Sequence, residues 1–244
     1  MLSDKVHFPC SDRLREAWRA DTGVEIEEAV RLLTQNFDTF YADVDISMSS
    51  SGIYKLTVTF NEIAADDETF ANDNVEDALK AEFTIEIDDA AAYHNHIRIQ
   101  DNQKCSGAGT LFTFNRFAMY DLIGVRGVEL ESAYSHGFMA WAKMGFVPDF
   151  DEAEGKAVVH EMVKRTWQYP DMFSEEERLL VQDLAQTPNG DNFRGLFGIN
   201  RDALHVLLEG HEKTPMLFDL HSEQREFFNE RVANRFPELL AEAA

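Results

Sequence analysis

Cysteine is nearly missing from this chain. Among 244 residues only Cys10 and Cys105 occur, a separation that fits neither a zinc knuckle nor a C-x-x-C redox pair, so no disulfide framework can be argued. Basic charge is also scarce: 22 lysines and arginines face 45 aspartates and glutamates, for a formal charge of −23. Proteins hold phosphate backbones and anionic lipid by neutralising them with Lys and Arg. The charge balance therefore argues against nucleic acid or a membrane surface as the main partner, and favours a cationic substrate such as an amine or a basic peptide. No stretch of about 18 apolar residues occurs, and the segment from Met1 to Pro9 has no apolar signal core. A cytoplasmic location is the expectation. His205, His211, His221 and the pair Asp43 and Asp45 do not fall into H-E-x-x-H, EF-hand or zinc-ribbon spacing, so no metal is expected.

What is present is an ordinary globular composition, with 44% hydrophobic and 27% charged residues. The length suits one catalytic domain with an appended helical lobe. Leu14, Ala17, Trp18, Ile26, Ala29, Val30, Leu33 and Phe37 recur at steps of three and four, and Thr22-Gly23 interrupts them, which predicts two helices over 11–42. Alternation then takes over. Val44, Ile46 and Met48, the turn cluster Ser49 to Gly52, and Tyr54, Leu56, Val58 and Phe60 read as a β-hairpin. Residues 64–80 are acidic and read as a solvated loop with a short helix. Phe83, Ile85 and Ile87 form a further strand, and Tyr93 to Ile99 another, on which His94 and His96 should share a face.

After a glycine turn, Leu111 to Ile123 read as a helix ended by Gly124, with Phe112, Phe114, Phe117 and Tyr120 as core aromatics. Val125 to Leu130 is a short strand, 135–144 a second helix ended by Gly145, and Phe146-Val147 the start of another strand. Beyond Asp149 the pattern is helical: Val158, Val159, Met162, Val163 and Trp167 form one face. Ser174 and Glu177 make a capping box before the next helix. Pro188 to Asp191 is a turn, Phe193 to Gly198 a loop, Asn200 caps a further helix, and a last one spans 222–240. The expectation is a mixed α/β protein with a domain over 1–150 and a helical C-terminal extension over 151–244.

The chemistry centres on the turn Lys104-Cys105-Ser106-Gly107-Ala108-Gly109-Thr110, placed between a predicted strand and a predicted helix. Glycines at a helix start let backbone N–H groups approach a diphosphate closely, and the helix N-terminus adds partial positive charge. The turn resembles the [Q/R]-x-x-G-x-[G/A] pattern of the GNAT N-acyltransferase superfamily, with Lys104, Gly107 and Gly109 in the defining places and Lys where Arg or Gln is usual. Gly145-Phe146 resembles the family's helix-to-Gly-Phe junction. The likeness covers about 83–150 and extends with the early helices and hairpin to 11–150.

The resemblance implies a GNAT-like sheet, acetyl-coenzyme A as co-substrate, and transfer of acetyl to a primary amine of a small molecule or protein. It implies cofactor contacts from Lys104 through Thr110. Glu131 or a histidine, His94 or His96, would accept the amine proton, and Tyr134 would donate to the leaving sulfur. The family's usual donor Tyr falls on Trp141, and indole cannot protonate a thiolate. The alternative reading is therefore a catalytically inactive coenzyme A-binding or protein-interaction module, with an oligomeric or protein contact through the C-terminal helices.

Overall fold

A computed structural model describes residues 2–62, 77–100, 105–132, 134–211, 213–237 and 239, with only the backbone for 134–136. The expected loop at 64–80 lies outside the described residues up to 76. The protein is mixed α/β and forms two compact units, 1–128 and 129–244.

In the first unit, a short strand β1 (Val6–His7) is followed by α1 (Asp12–Thr22) and α2 (Ile26–Thr34), then by β2 (Phe40–Met48), β3 (Tyr54–Glu62), β4 (Leu79–Glu86) and β5 (Ala91–Ile99), and by α3 (Ala108–Ile123). The strands lie in the order β1-β2-β3-β4-β5. β1 runs parallel to β2, and β2 to β5 form an antiparallel meander.

Alternation sets one apolar face. The pairs Ile46↔Leu56, Val44↔Val58, Leu56↔Phe83 and Phe60↔Leu79 are buried, as period-two patterning requires when one side of a sheet is covered. Helix α3 packs beside Phe60 through Phe112, their rings 5.7 Å apart. It also touches α2, where the Asn115 amide donates to the carbonyls of Leu33 and Gln35. That amide satisfies acceptors which the end of α2 leaves without intrahelical partners. Trp18 of α1 meets Tyr54 edge-on at 5.0 Å, and the Tyr54 hydroxyl donates to Asp21 at 2.6 Å. The break expected at Thr22-Gly23 is a left-handed cap at Gly23, whose N–H bonds the Arg19 carbonyl.

Strand β6 (Gly127–Glu131) begins in the first unit and ends in the second. The second unit continues with α4 (Tyr134–Lys143), β7 (Val147–Pro148), α5 (Ala153–Gln168), α6 (Glu175–Gln186), α7 (Gly190–Gly195), α8 (Arg201–Leu208), β8 (Pro215–Asp219) and α9 (Glu223–Arg235). The C-terminal part is thus not purely helical. β8 pairs antiparallel with β7 through Val147↔Leu217 and Pro148↔Met216, which places 129–150 with the C-terminal half rather than with the domain expected over 1–150.

Ser132 anchors the same arrangement. Its N–H donates to Thr214 O and its hydroxyl to His211 O, while the N–H groups of Lys213 and Thr214 donate back to its carbonyl and hydroxyl. Buried Gln224 of α9 donates to the carbonyls of Gly145 and Leu217 and accepts from the Asp219 N–H.

Caps decide the remaining boundaries. The Ser174/Glu177 box is present, and the second Glu177 oxygen accepts from the N–H of Asn200, whose own side chain caps α8. Arg165 donates to the carbonyls of Val206, Leu207 and Glu209 that end α8. The expected turn at 188–191 is instead a cap, because Asn189 accepts from Asn192 N–H and starts α7. The expected loop over 193–198 continues as helical turns. Helix α9 stops at Arg235, short of 240, because Phe236 precedes Pro237 and the proline ring disfavours helical geometry there.

Gly155 is the tightest backbone approach in the second unit: a β-carbon there would stand 1.9 Å from the Asp149 carbonyl oxygen. Backbone cannot swing away as a side-chain tip can. Gly155→Ala is expected to destabilise the second unit by about 3 kcal/mol, the upper range for overpacking, measured as a lower denaturant midpoint followed through the fluorescence of buried Trp141 in a Trp18→Phe/Trp167→Phe background.

Candidate functional site

The glycine turn closes β5 onto α3. Lys104 lies outside the described residues. Cys105 is buried and Ser106 exposed. Gly107 is the N-cap of α3 in the left-handed region, with φ of 89°, which glycine adopts at no steric cost. The Ala108 N–H donates to Cys105 O at 3.0 Å, and the Leu111 N–H to Gly107 O at 3.0 Å.

Gly107 itself offers no capping side chain, and the first turn holds no acidic residue. The usual Ser, Thr, Asp or Asn acceptor is therefore missing where a 16-residue helix carries partial positive charge. Gly109 differs, making a close side-chain contact in ordinary helical geometry. A β-carbon there would lie 2.5 Å from Ile99 Cδ1, so the first turn of α3 rests directly on the end of β5. Cys105 to Gly107 form the turn, and Ala108 to Thr110 are the first residues of α3.

The two strand histidines part company. Register shifts between Glu82 and Phe83, so that Glu82 pairs with His96 and Phe83 with His94, leaving Asn95 as the extra residue of a β-bulge. One inserted residue moves everything beyond it to the other face. His94 is buried while His96 is exposed, which corrects the expectation of a shared face.

His94 Nε2 and the Tyr120 hydroxyl share a hydrogen bond at 3.0 Å. Beside them lies Arg116, fully buried, with its guanidinium 4.8 Å from the Phe112 ring centre and 5.6 Å from that of Phe83. Its Nη2 donates to the Thr113 hydroxyl, while Nε and Nη1 find no hydrogen-bond partner among the described residues. Cation–π contacts return about 2 kcal/mol when desolvated. The penalty for burying an ion is several kcal/mol, so burial wins and pushes the Arg116 pKa down to about 10. Burial first, and the Arg116 charge second, hold His94 well below the ordinary imidazole value. Arg116 occupies the helical stripe of Phe112 and Tyr120, four residues from each, a signal the sequence reading passed over by following the aromatics alone.

The remaining expected residues are placed separately. Glu131 is the exposed last residue of β6, and Tyr134 opens α4 with its side chain outside the described residues. Trp141 is buried and packs edge-on against Phe146, ring centres 5.1 Å apart. Its position belongs to the core. Among the described residues no cluster of three or more His, Cys, Asp or Glu side chains could hold a metal, and no helix is long and apolar enough to cross a membrane.

Two outcomes follow from this geometry. Gly109→Ala should change stability by less than about 1 kcal/mol, because the close atom is the tip of the exposed Ile99 side chain, which can turn away, and alanine favours the helix; any residual cost should vanish in an Ile99→Val background, which removes Cδ1. A double-mutant cycle of unfolding free energies measures that coupling. For pH, the folded state holds His94 neutral over a range where the unfolded chain takes up the proton. Stability therefore falls as pH drops below about 6.5, with a limiting slope of about 1.4 kcal/mol per unit. Buried His211, also held low chiefly by desolvation, acts in the same sense in the second unit. His94→Gln should flatten the acid limb of the melting profile of the first unit between about pH 6.5 and 5.

Comparison with models of known protein families, with curated proteins and with solved structures returns no match.

Proposed function

We propose that this chain binds acetyl-coenzyme A at the Cys105–Thr110 turn and transfers the acetyl group to a primary amine. The observation that carries the reading is the start of α3: a glycine N-cap in left-handed geometry with no side-chain cap, following a bulged strand. Backbone N–H groups at such a terminus can serve a phosphate. Bulges also free strand backbone groups beside functional sites, and such groups could orient a thioester carbonyl. The order β5, glycine turn, α3, β6, α4, β7 agrees with the GNAT resemblance.

In the proposed reaction the amine nitrogen attacks the thioester carbonyl carbon, the C–S bond breaks, and the amide forms. The amine proton passes to Glu131 or to exposed His96, and Tyr134 donates a proton to the departing thiolate. Buried His94, bonded to Tyr120, is unsuited to the role of base. Lys104 would add charge toward the pyrophosphate. A second reading, coenzyme A binding without turnover, is favoured by one observation: Trp141, where the resemblance calls for a proton donor, lies in the core.

Acetyl-coenzyme A at about 100-fold over its Kd should stabilise the protein by about 2.7 kcal/mol and raise its melting temperature by several degrees. No shift at millimolar ligand would end both readings. Free thiol released with a panel of amines supports transfer; a thermal shift with no thiol release against any amine supports binding alone. Gly107→Asn keeps a residue that tolerates left-handed backbone while placing a side chain over the N–H groups. It should weaken coenzyme A binding at least tenfold.

A further inference from the structure

Arg116 stands midway along α3 with no accessible surface. A buried charge is ordinarily met by an opposite charge or by a full set of hydrogen bonds. Arg116 has neither among the described residues. Although burial lowers its pKa to about 10, the guanidinium still carries its charge at neutral pH. Tyr120, one turn further along the same stripe, does not supply the countercharge. Burial raises its pKa, so the phenol stays neutral, and its hydroxyl is shared with His94 Nε2 at 3.0 Å.

Hydrogen-bond donors are in surplus around that charge. Arg116 Nη2 donates to the buried Thr113 hydroxyl at 3.1 Å. Nε holds one more N–H and Nη1 holds two, and none of these reaches an acceptor among the described residues. A hydroxyl that accepts a bond keeps its own proton to give. The Thr113 O–H donates to no other described group. These unanswered hydrogens and the charge share one apolar stretch of the core, where the rings of Phe112 and Phe83 stand 4.8 and 5.6 Å from the guanidinium carbon. Phe83 in turn lies 6.1 Å from the Tyr120 ring and 6.3 Å from that of His94.

The surroundings select the chemistry of a ligand. Water can accept some of the N–H groups, but it leaves the charge uncompensated, which is the larger cost in a low-dielectric interior. A dianion would replace one buried positive charge by one buried negative charge. A coenzyme or a phosphate ester needs an open mouth, and every side chain named around Arg116 is buried. A small monovalent anion cancels the charge and accepts from several donors at once.

We propose that Arg116 and Thr113 hold a small monovalent anion, chloride under ordinary salt, in the core of the first unit between α3 and β4. The site is independent of the glycine turn, none of whose residues takes part in it.

The test compares thermal unfolding of the full chain in sodium chloride and in sodium gluconate at equal ionic strength, for the parent and for Arg116→Met. Gluconate carries the same charge but is too large to enter the core. Replacing a buried ion by an apolar side chain of similar volume is often neutral or stabilising, so the variant is expected to fold. At about 0.5 M salt the parent should melt about 3 °C or more higher in chloride than in gluconate, and the gap should close in Arg116→Met. A second measurement locates the ion directly: crystals of the full chain grown in sodium bromide should show an anomalous-scattering peak in contact with Arg116 Nε or Nη1. Equal melting of the parent in the two salts overturns the proposal. So does a gap that persists in Arg116→Met, which would place the anion elsewhere, and so does a bromide crystal with no anomalous peak at Arg116, whatever the melting data show.

Discussion

Helix α3 lying on the apolar face of the β2–β5 meander is the contact on which the first unit depends. Phe112 fits beside Phe60, Asn115 ties off the end of α2, and Gly109 lets the first helical turn rest on Ile99. Each acts at a different level: apolar burial, satisfaction of backbone acceptors, and closeness of approach. Together they aim an uncapped helix N-terminus out of the turn after β5. The turn's geometry is thus set by packing along the whole helix rather than by the turn residues alone.

That packing encloses an anomaly. Arg116 is a buried cation flanked by aromatic faces, with two of its nitrogens unpartnered and no carboxylate pair among the described residues. Its desolvation outweighs the aromatic contacts, and its charge helps hold His94 neutral. Buried polar groups in native structures are usually satisfied, so the Arg116, Tyr120 and His94 group marks a place where the fold gives up stability.

Much of the fold was legible along the chain. Period-two alternation located β2, β3 and β4, the three- and four-residue steps located α1, α2, α3 and α5, and Gly23, Gly124 and Ser174 marked boundaries whose caps are present. The glycine turn was legible because a left-handed N-cap selects glycine directly. Less local features were not. β8 holds only the short apolar run Met216 to Phe218, which periodicity cannot separate from helix. The bulge at Asn95 depends on how β5 registers against β4, and a strand's own sequence does not state its partner's register.

Local patterning by itself therefore determined the mixed α/β class, most element positions and the glycine turn, because helix and strand periodicity and left-handed backbone are properties of a few neighbouring residues. Tertiary structure alone decided that His94 turns inward and His96 outward, that Trp141 belongs to the core, and that 129–150 joins the C-terminal unit through β7 and β8. It alone set the Asn115 amide against the carbonyls that end α2. Those outcomes rest on pairing and on groups that meet across long sequence separations, and no short window of sequence contains both partners.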